Sequence, residues 1–484
     1  MARRSADGEP GLPIKLGPCS NGEYEPPPPT PLVREAVRRA QVACDDNARW
    51  TGLSRRDFLR SACAAATTLT VLAACSKDSN DGRRGGTFEL PPESTVEPEA
   101  AADALGGDEL IFDVQGHLLE FDLDEPLPAR YLGSNFPQAD CGDDDPRTCF
   151  STGHFLEEVF LRSDTSMAVL SAVPVGSGPG GPLSAEVMAA ALRQADGLCG
   201  EGRLLMQGHA TPSAGPFEET ASAMADVASR YRIAAWKVYT HAGGPGWYLD
   251  DHDPSAPQVG GAFVRRAVEL GIPVIAVHKG LSGGSPYAAP LDVGPAARDH
   301  PDARFVVYHS GYETSGDEGP YTEATRDVGV NRLITSLLDA GIGPGGNVYA
   351  ELGSTWRSVM GAPEDAAHVL GKLLVHLGED NVVWGTDSIW YGSPQDQIQA
   401  FRAFQISEEL QERHGYPALT PERKAKILGL SSARLYGVDP VRQCCAPTPA
   451  ERDALRAALP GTAAVRGFRT AAAVRAYQLR SGWF

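Results

Sequence analysis

Ile272-Pro273-Val274-Ile275-Ala276-Val277-His278 is a short run of apolar, largely β-branched residues that ends on a histidine. Such a run reads as a β-strand. The pattern returns at Phe305-Val306-Val307-Tyr308-His309-Ser310-Gly311 and, with a carboxylate at its end, at Val382-Val383-Trp384-Gly385-Thr386-Asp387-Ser388. Working outward from these, strands are expected at Glu109–Gln115, Ser166–Pro174, Gly202–Gln207, Ile233–Thr240, Ile272–His278, Ala303–His309, Asn347–Glu351 and Asn381–Thr386. Helical periodicity fills the intervals at Ser184–Ala195, Glu218–Arg230, Gly260–Leu270, Thr325–Ala340, Pro363–Leu377 and Gln395–Phe404. Ser184 stands at an N-cap position, and Gly271 and Gly378 follow helix ends. Strands alternating with helices imply parallel pairing through right-handed crossovers. That many repeats predict a closed (β/α)8 TIM barrel over residues 108–440. An open doubly wound sheet is the alternative, but no glycine-rich phosphate loop follows the first strand.

Composition narrows the function. The chain has 484 residues, a formal charge of −19, 42% hydrophobic and 22% charged residues. Its acidity excludes nucleic acid as an expected partner, because phosphate binding needs a basic face. Wholesale disorder is excluded by the ordinary apolar content. No apolar run reaches the ~18–20 residues of a membrane span.

The N-terminal part differs from the rest. Residues 1–50 are rich in Pro and Arg, with Pro26–Pro29 in a row. Ser54-Arg55-Arg56-Asp57-Phe58-Leu59-Arg60 then precedes an uncharged stretch from Ser61 to Cys75. This resembles a twin-arginine export signal, and Leu72-Ala73-Ala74-Cys75 resembles a lipobox. The resemblance implies a signal over 1–75, acylation of Cys75 with a lipid anchor to the membrane, and export to the periplasm or cell envelope. Cleavage near Cys75 without lipidation is the alternative. Residues 76–107, polar and acidic, are expected to be a flexible linker. Residues 441–484, rich in Ala and Arg, are expected to be a helical C-terminal extension. Among the nine cysteines, Cys19, Cys44 and Cys63 would leave with the signal. Cys141 and Cys149 flank a short acidic loop and can pair in an oxidising compartment. Cys199, Cys444 and Cys445 have no assignable partner.

In a parallel barrel, chemistry gathers at the C-terminal strand ends. His117, His278, His309 and Asp387 all fall there, from four different strands. Period-two alternation places Asp113, Gln115 and His117 on one face of strand one. Imidazole and carboxylate are the donors that suit zinc, manganese or iron. Lys237, Tyr239 and His241 share a face of strand four, and His209 follows strand three. Trp236, Trp247, Trp356 and Trp390 are candidates for a pocket wall or simply for packing.

Asp113-x-Gln115-x-His117, His278, His309 and Gly385-Thr386-Asp387, in that order, resemble the amidohydrolase superfamily. The closest likeness is to its amidohydrolase-related branch, which also holds metal-dependent aromatic-acid decarboxylases. Arg423–Val438 is similar to the helix that closes the family's barrel. The resemblance implies a single divalent metal, zinc foremost with manganese as the other candidate. Its ligands would be His117, His278 and Asp387, with Gln115 a weak fourth. Asp387 and His309 would be catalytic. Gln115 departs from the usual imidazole, offers only a carbonyl oxygen, and argues against a second metal. Lys237, His241 and His209 are then expected to contact substrate. Hydrolysis of a small amide, lactone or ester is the leading expectation. Non-oxidative decarboxylation, or a barrel that has lost its metal and only binds, are the alternatives. A small-molecule substrate, no nucleic acid and a homo-oligomeric assembly complete what the reading allows for partners.

Overall fold

The structure is a computed structural model of the full chain, described over residues 11–80, 85–124, 145–174, 176–199, 202–314, 318–440 and 467–481. Eight parallel strands run in sequential order: β1 Phe112–Gly116, β2 Met167–Leu170, β3 Leu204–His209, β4 Ala235–Tyr239, β5 Val274–His278, β6 Arg304–Tyr308, β7 Val348–Glu351 and β8 Val382–Val383. The ring closes between its ends. Val114 N–H donates to Trp384 O at 3.0 Å, and Gly116 bridges Ser388 in parallel. The architecture is the expected (β/α)8 TIM barrel, and all eight strand positions were legible in the sequence.

The barrel interior explains why chemistry sits at one end. Inward positions on β4 run Ala235, Lys237, Tyr239; on β5, Val274, Ala276, His278; on β6, Val306, Tyr308. The lower members join Phe112, Val114, Met167, Val169 and Val383 in one buried apolar cluster. Ala433 and Leu435, from the helix Ser431–Tyr436, belong to the same cluster and seal the bottom. The upper members are polar. The outward-facing strand residues, such as Ile275, Val277, Phe305 and Val307, pack into the larger cluster beneath the helices.

One carboxylate clasps the first strand to the last. Asp113 Oδ1 accepts from Gln115 N–H and Thr386 N–H, both at 3.0 Å, and Oδ2 accepts from the Thr386 hydroxyl. Burial pushes the Asp113 carboxyl up to about 7, against the lowering effect of these donors.

The N-terminal region is built onto the barrel. Helix α1 (Pro31–Thr51) starts at Thr30, whose side chain accepts from Val33 N–H at 3.2 Å, and ends at Gly52. Helices α2 (Arg55–Leu59) and α3 (Ala62–Ser79) follow. The alanine-rich composition of α3 lets it lie close against α1. Ala65, Ala66, Leu69, Leu72 and Cys75 are buried in the same apolar cluster as the barrel's outer face. Among the described residues no helix is long and apolar enough to cross a membrane. Where composition suggests a tether over 76–107, the described part from 85 onward is ordered. Gly86–Phe88 pairs antiparallel with Phe404–Ile406, and helix α4 (Pro98–Leu105) buries Ala101 and Leu105. Few apolar residues suffice there because each is anchored on a surface already formed. The described portion of the C-terminal extension carries a helix, Ala471–Ser481.

Cys44, Cys63 and Cys75 are free and buried, and Cys19 is buried. Cys149 is disulfide-bonded. Cys141, Cys444 and Cys445 lie outside the described residues, as does the side chain of Cys199.

Asp113→Ala leaves two buried N–H groups without acceptors and should cost about 2–4 kcal/mol, read from urea unfolding. The pH dependence has a definite sign. The folded state holds the Asp113 proton up to about pH 7, whereas the ordinary value for this carboxyl is 3.8. This contribution to stability is therefore complete below pH 3.8 and is lost as pH rises through about 7. Chelator-treated wild type should lose stability across that window more steeply than Asp113→Asn.

Candidate active site

The expected residues meet at the C-terminal mouth of the barrel. Pairing between β1 and β2 shifts register between Asp113 and Gly116. Gln115 and His117 both turn to Asp387: Gln115 Nε2 donates to Asp387 Oδ1 at 2.9 Å, and His117 Nε2 lies 3.1 Å from the same oxygen. His117 Nδ1 is 2.8 Å from Ser171 O, which orients the ring, and Trp390 stacks on it with centroids 5.4 Å apart. Trp390 is the member of the tryptophan set that stands at the site. Trp356 packs against Phe401 and Phe404, and Trp247 against Phe263.

Asp387 collects donors from distant parts of the chain. Besides Gln115 and His117, its Oδ2 accepts from Ser354 Oγ at 2.7 Å and Asn21 Nδ2 at 2.9 Å. Burial alone raises the Asp387 carboxyl, but hydrogen bonding and charge from His117, aided by His309 and Ser354, outweigh it and hold the group below its usual range. It is an ionised carboxylate with almost no solvent.

His278 and His309 face one another, ring centroids 4.7 Å apart. His309 Nδ1 lies 2.7 Å from Gly353 O, so its proton belongs there and Nε2 presents a lone pair. His278 Nε2 is 2.9 Å from Ser282 Oγ, and Tyr239 stacks on the ring. His309 Nε2 and His278 Nδ1 are buried without a hydrogen-bond partner among the described residues. Burial pushes His309 down to about 4 and His278 well below its ordinary value, so both are neutral near pH 7.

Two carboxylates here were not anticipated. Glu351 ends β7, accepts from His309 N–H at 3.0 Å and Gly353 N–H at 2.5 Å, and is pushed up to about 8 by burial. The rule that located the histidines, polar residues at strand ends, would have found it. Gly353 must be glycine: a Cβ there would lie 2.2 Å from Gln115 Oε1 and 2.4 Å from Glu351 Oε1. Glu23 is the second. Its Oε1 stands 3.9 Å from His278 Nδ1. Glu23, His278 and His309 place one ligand atom each within 4.8 Å of one another, all buried. Asn21 Nδ2 joins Glu23 Oε2, at 2.7 Å, to Asp387, so the two halves form one site. No strand pattern marks Glu23, because it lies far outside the barrel sequence. The anticipated metal ligands are thus split: His117 pairs with Asp387, while His278 faces His309, which was expected to be catalytic, and Glu23 stands beside those two.

The second-rank residues also lie at the mouth. Lys237 is fully buried, its Nζ 3.6 Å above the Tyr308 ring and 4.5 Å from Tyr239, with no hydrogen bond among the described residues. Burial pushes its pKa down, against the pull of Glu23, Glu351 and Asp387. His241 lies 4.9 Å from the His278 ring and is pushed down to about 3, first by burial and then by Lys279. His209 is lowered to about 4 by burial and by Lys237. The loop after β5 is pinned by a buried ion pair, Lys279 Nζ to Asp292 Oδ2 at 2.8 Å.

Residues 112–438 match the amidohydrolase family, and the chain belongs to it. No curated protein matches the chain. Among solved structures it is similar to an uncharacterised TIM-barrel protein from Bordetella bronchiseptica, at 14% identity, TM-score 0.43, covering 68% of this chain and 98% of that one. It is also similar to a 2,6-dihydroxybenzoate decarboxylase, at 14% identity, TM-score 0.39, covering 68% and 98%. A dihydroorotase from Campylobacter jejuni is similar at 13% identity, TM-score 0.36, covering 68% and 84%.

Members of this family usually bind a divalent metal, and the donor set fits one. Two neutral imidazoles with nitrogens unpartnered among the described residues, next to buried carboxylates, are the donor types that suit a divalent cation.

Lys237→Met tests whether the buried ammonium serves the fold. A cation without hydrogen bonds costs desolvation, so the apolar replacement should leave Tm unchanged or raise it in calorimetry. A fall in Tm would make Lys237 a structural counter-ion to the carboxylates.

Proposed function

We propose that the chain is a metal-dependent hydrolase of a small amide, lactone or ester. The observation that carries this reading is an ionised, desolvated Asp387 beside two neutral histidines with unused nitrogens, all at the barrel mouth. His278 and His309 are the nitrogen ligands for a divalent ion, zinc or manganese by donor type. Such an ion supplies Lewis acidity and brings the pKa of water towards neutrality, to about 7 in well-known zinc sites. Asp387 is the general base. His117, Gln115, Ser354 and Asn21 hold its two oxygens in fixed directions, so no reorientation is needed as it takes a proton from the attacking water. Asp387 then returns that proton to the leaving nitrogen or oxygen. Lys237, whose Nζ lies over the Tyr308 and Tyr239 rings, can stabilise negative charge developing on the carbonyl oxygen. His241 and His209, neutral and close by, contribute polar contacts to substrate.

One observation favours a second reaction on the same site. A buried lysine without a hydrogen-bonding partner also suits a carboxylate substrate, and Gln115 weakens the field for an activated water. Non-oxidative decarboxylation of an aromatic or cyclic acid would use the same groups, with Asp387 or His309 delivering the proton that replaces CO2.

Zinc- and manganese-loaded enzyme should cleave members of an amide, ester and lactone panel. Asp387→Asn should lower kcat by at least ~100-fold, the usual scale for a general base. His278→Ala should lose metal on elemental analysis. Turnover confined to hydroxybenzoate-like acids, with CO2 release, would replace hydrolysis by decarboxylation. Metal-free wild type after loading would end both.

A further inference from the structure

The segment from Cys19 to Tyr24 lies across the barrel mouth and is held there from both sides. Below it, Asn21 and Glu23 reach the site, and Tyr24 OH is 3.2 Å from Tyr391 OH, itself 2.6 Å from Ser354 Oγ. Within it, Ser20 Oγ donates to Tyr24 O at 2.5 Å and Tyr24 OH donates to Cys19 O at 2.9 Å, closing a tight loop. Above it, the C-terminal extension forms a clasp. Phe468 N–H donates to Ser20 O at 2.8 Å, and Gln478 Nε2 donates to Gly22 O at 3.1 Å. Gly22 has φ 105°, and a Cβ there would lie 2.6 Å from the Tyr477 ring, so only glycine fits beneath the clasp. Ser20 is fully buried, and Glu23 is 7% exposed.

Burial pushes the Glu23 carboxyl up to about 8, and a cation beside it would favour its charged form. Beside Glu23, His278 Nδ1 and His309 Nε2 are buried and have no hydrogen-bond partner among the described residues. At position 115 strand one carries a neutral amide, not a carboxylate. One divalent ion between Glu23, His278 and His309 satisfies all of these groups together, and Glu23 supplies the negative charge that position 115 lacks.

We propose that residues Cys19–Tyr24 are a permanent wall of the active site, with Glu23 a carboxylate ligand of the divalent ion, and that the functional chain keeps its first 75 residues. The ligand role rests on the metal-dependent reading above. Cleavage before Cys75 would remove Glu23, Asn21 and Tyr24 at once. It would also strip α1 and most of α3 from the barrel flank, where Leu69 and Leu72 are fully buried. Cys75 itself is 4% exposed, which leaves its sulfur no path to a membrane in the folded chain.

The full chain, stripped with a chelator, is titrated with ZnCl2 and separately with MnCl2 in a calorimeter. Glu23→Gln should bind at least ~10-fold more weakly, since even outer-shell partners of a metal site are worth 10–100-fold. Metal-free thermal unfolding of the variant checks that it folds. If it does not, hydrogen exchange on wild type decides: peptides covering residues 19–24 should gain protection when ZnCl2 is added. Intact mass of the chain isolated from expressing cells should include residue 23. Equal affinities in wild type and Glu23→Gln, or exchange at 19–24 indifferent to metal, overturn the ligand role and leave the hydrolase reading standing. A mature chain that begins at Cys75 overturns the proposal outright. Wild type that binds neither ion overturns this proposal and the hydrolase reading together.

Discussion

A single desolvated carboxylate organises this molecule. Asp387 sits just past the shortest strand of the barrel, in a left-handed backbone conformation with φ 58°. Four donors converge on it: Gln115 and His117 from strand one, Ser354 after strand seven, and Asn21 from the N-terminal segment. Burial opposes its charge, and those donors restore it. The arrangement holds only if the ring is closed, because Gln115 and His117 must stand beside strand eight. The neighbouring clasp of Asp113 on Thr386 secures that closure. Closure, charge and site geometry are therefore one problem solved in one place.

The site is also crowded with groups whose preferred charge is suppressed. Glu351 and Asp113 are raised, His309 and His278 are lowered, and Lys237 is pushed towards neutrality. A low-dielectric mouth full of nearly neutral donors and acceptors is poised to accept a dication or an anionic substrate, since either would pull several groups to their charged forms together. The same desolvation explains why the mouth is covered. Residues 19–24 and the described C-terminal helix lie over it, and Gln115, His117, Lys237, His278, His309 and Asp387 are at most 2% exposed.

Much of this was legible beforehand. The eight strands announced themselves through short apolar runs such as Ile272–Val277, because a buried parallel strand tolerates little else. His117, His278, His309 and Asp387 were legible because topology forces strand ends to one rim. Glu351 obeyed that rule and was overlooked. The N-terminal region is where local pattern and three-dimensional packing part company. An alanine-rich helix after paired arginines has the composition of an export signal, and α3 has that composition. It also has the small side chains that allow close packing on α1, and composition does not distinguish the two uses.

The linear sequence by itself determined the barrel, the rim on which its polar residues gather and the kind of chemistry those residues can do, because strand periodicity and connection handedness act over short stretches. Only the tertiary structure decided that Glu23 and Asn21 belong to that rim, that His117 pairs with Asp387 while His278 faces His309, and that the C-terminal helix lies over the N-terminal segment. Those choices depend on contacts spanning hundreds of residues, such as Asn21 with Asp387, for which no local spacing provides a signal: the energy that selects them exists only once the ring is closed and water has been driven from its mouth.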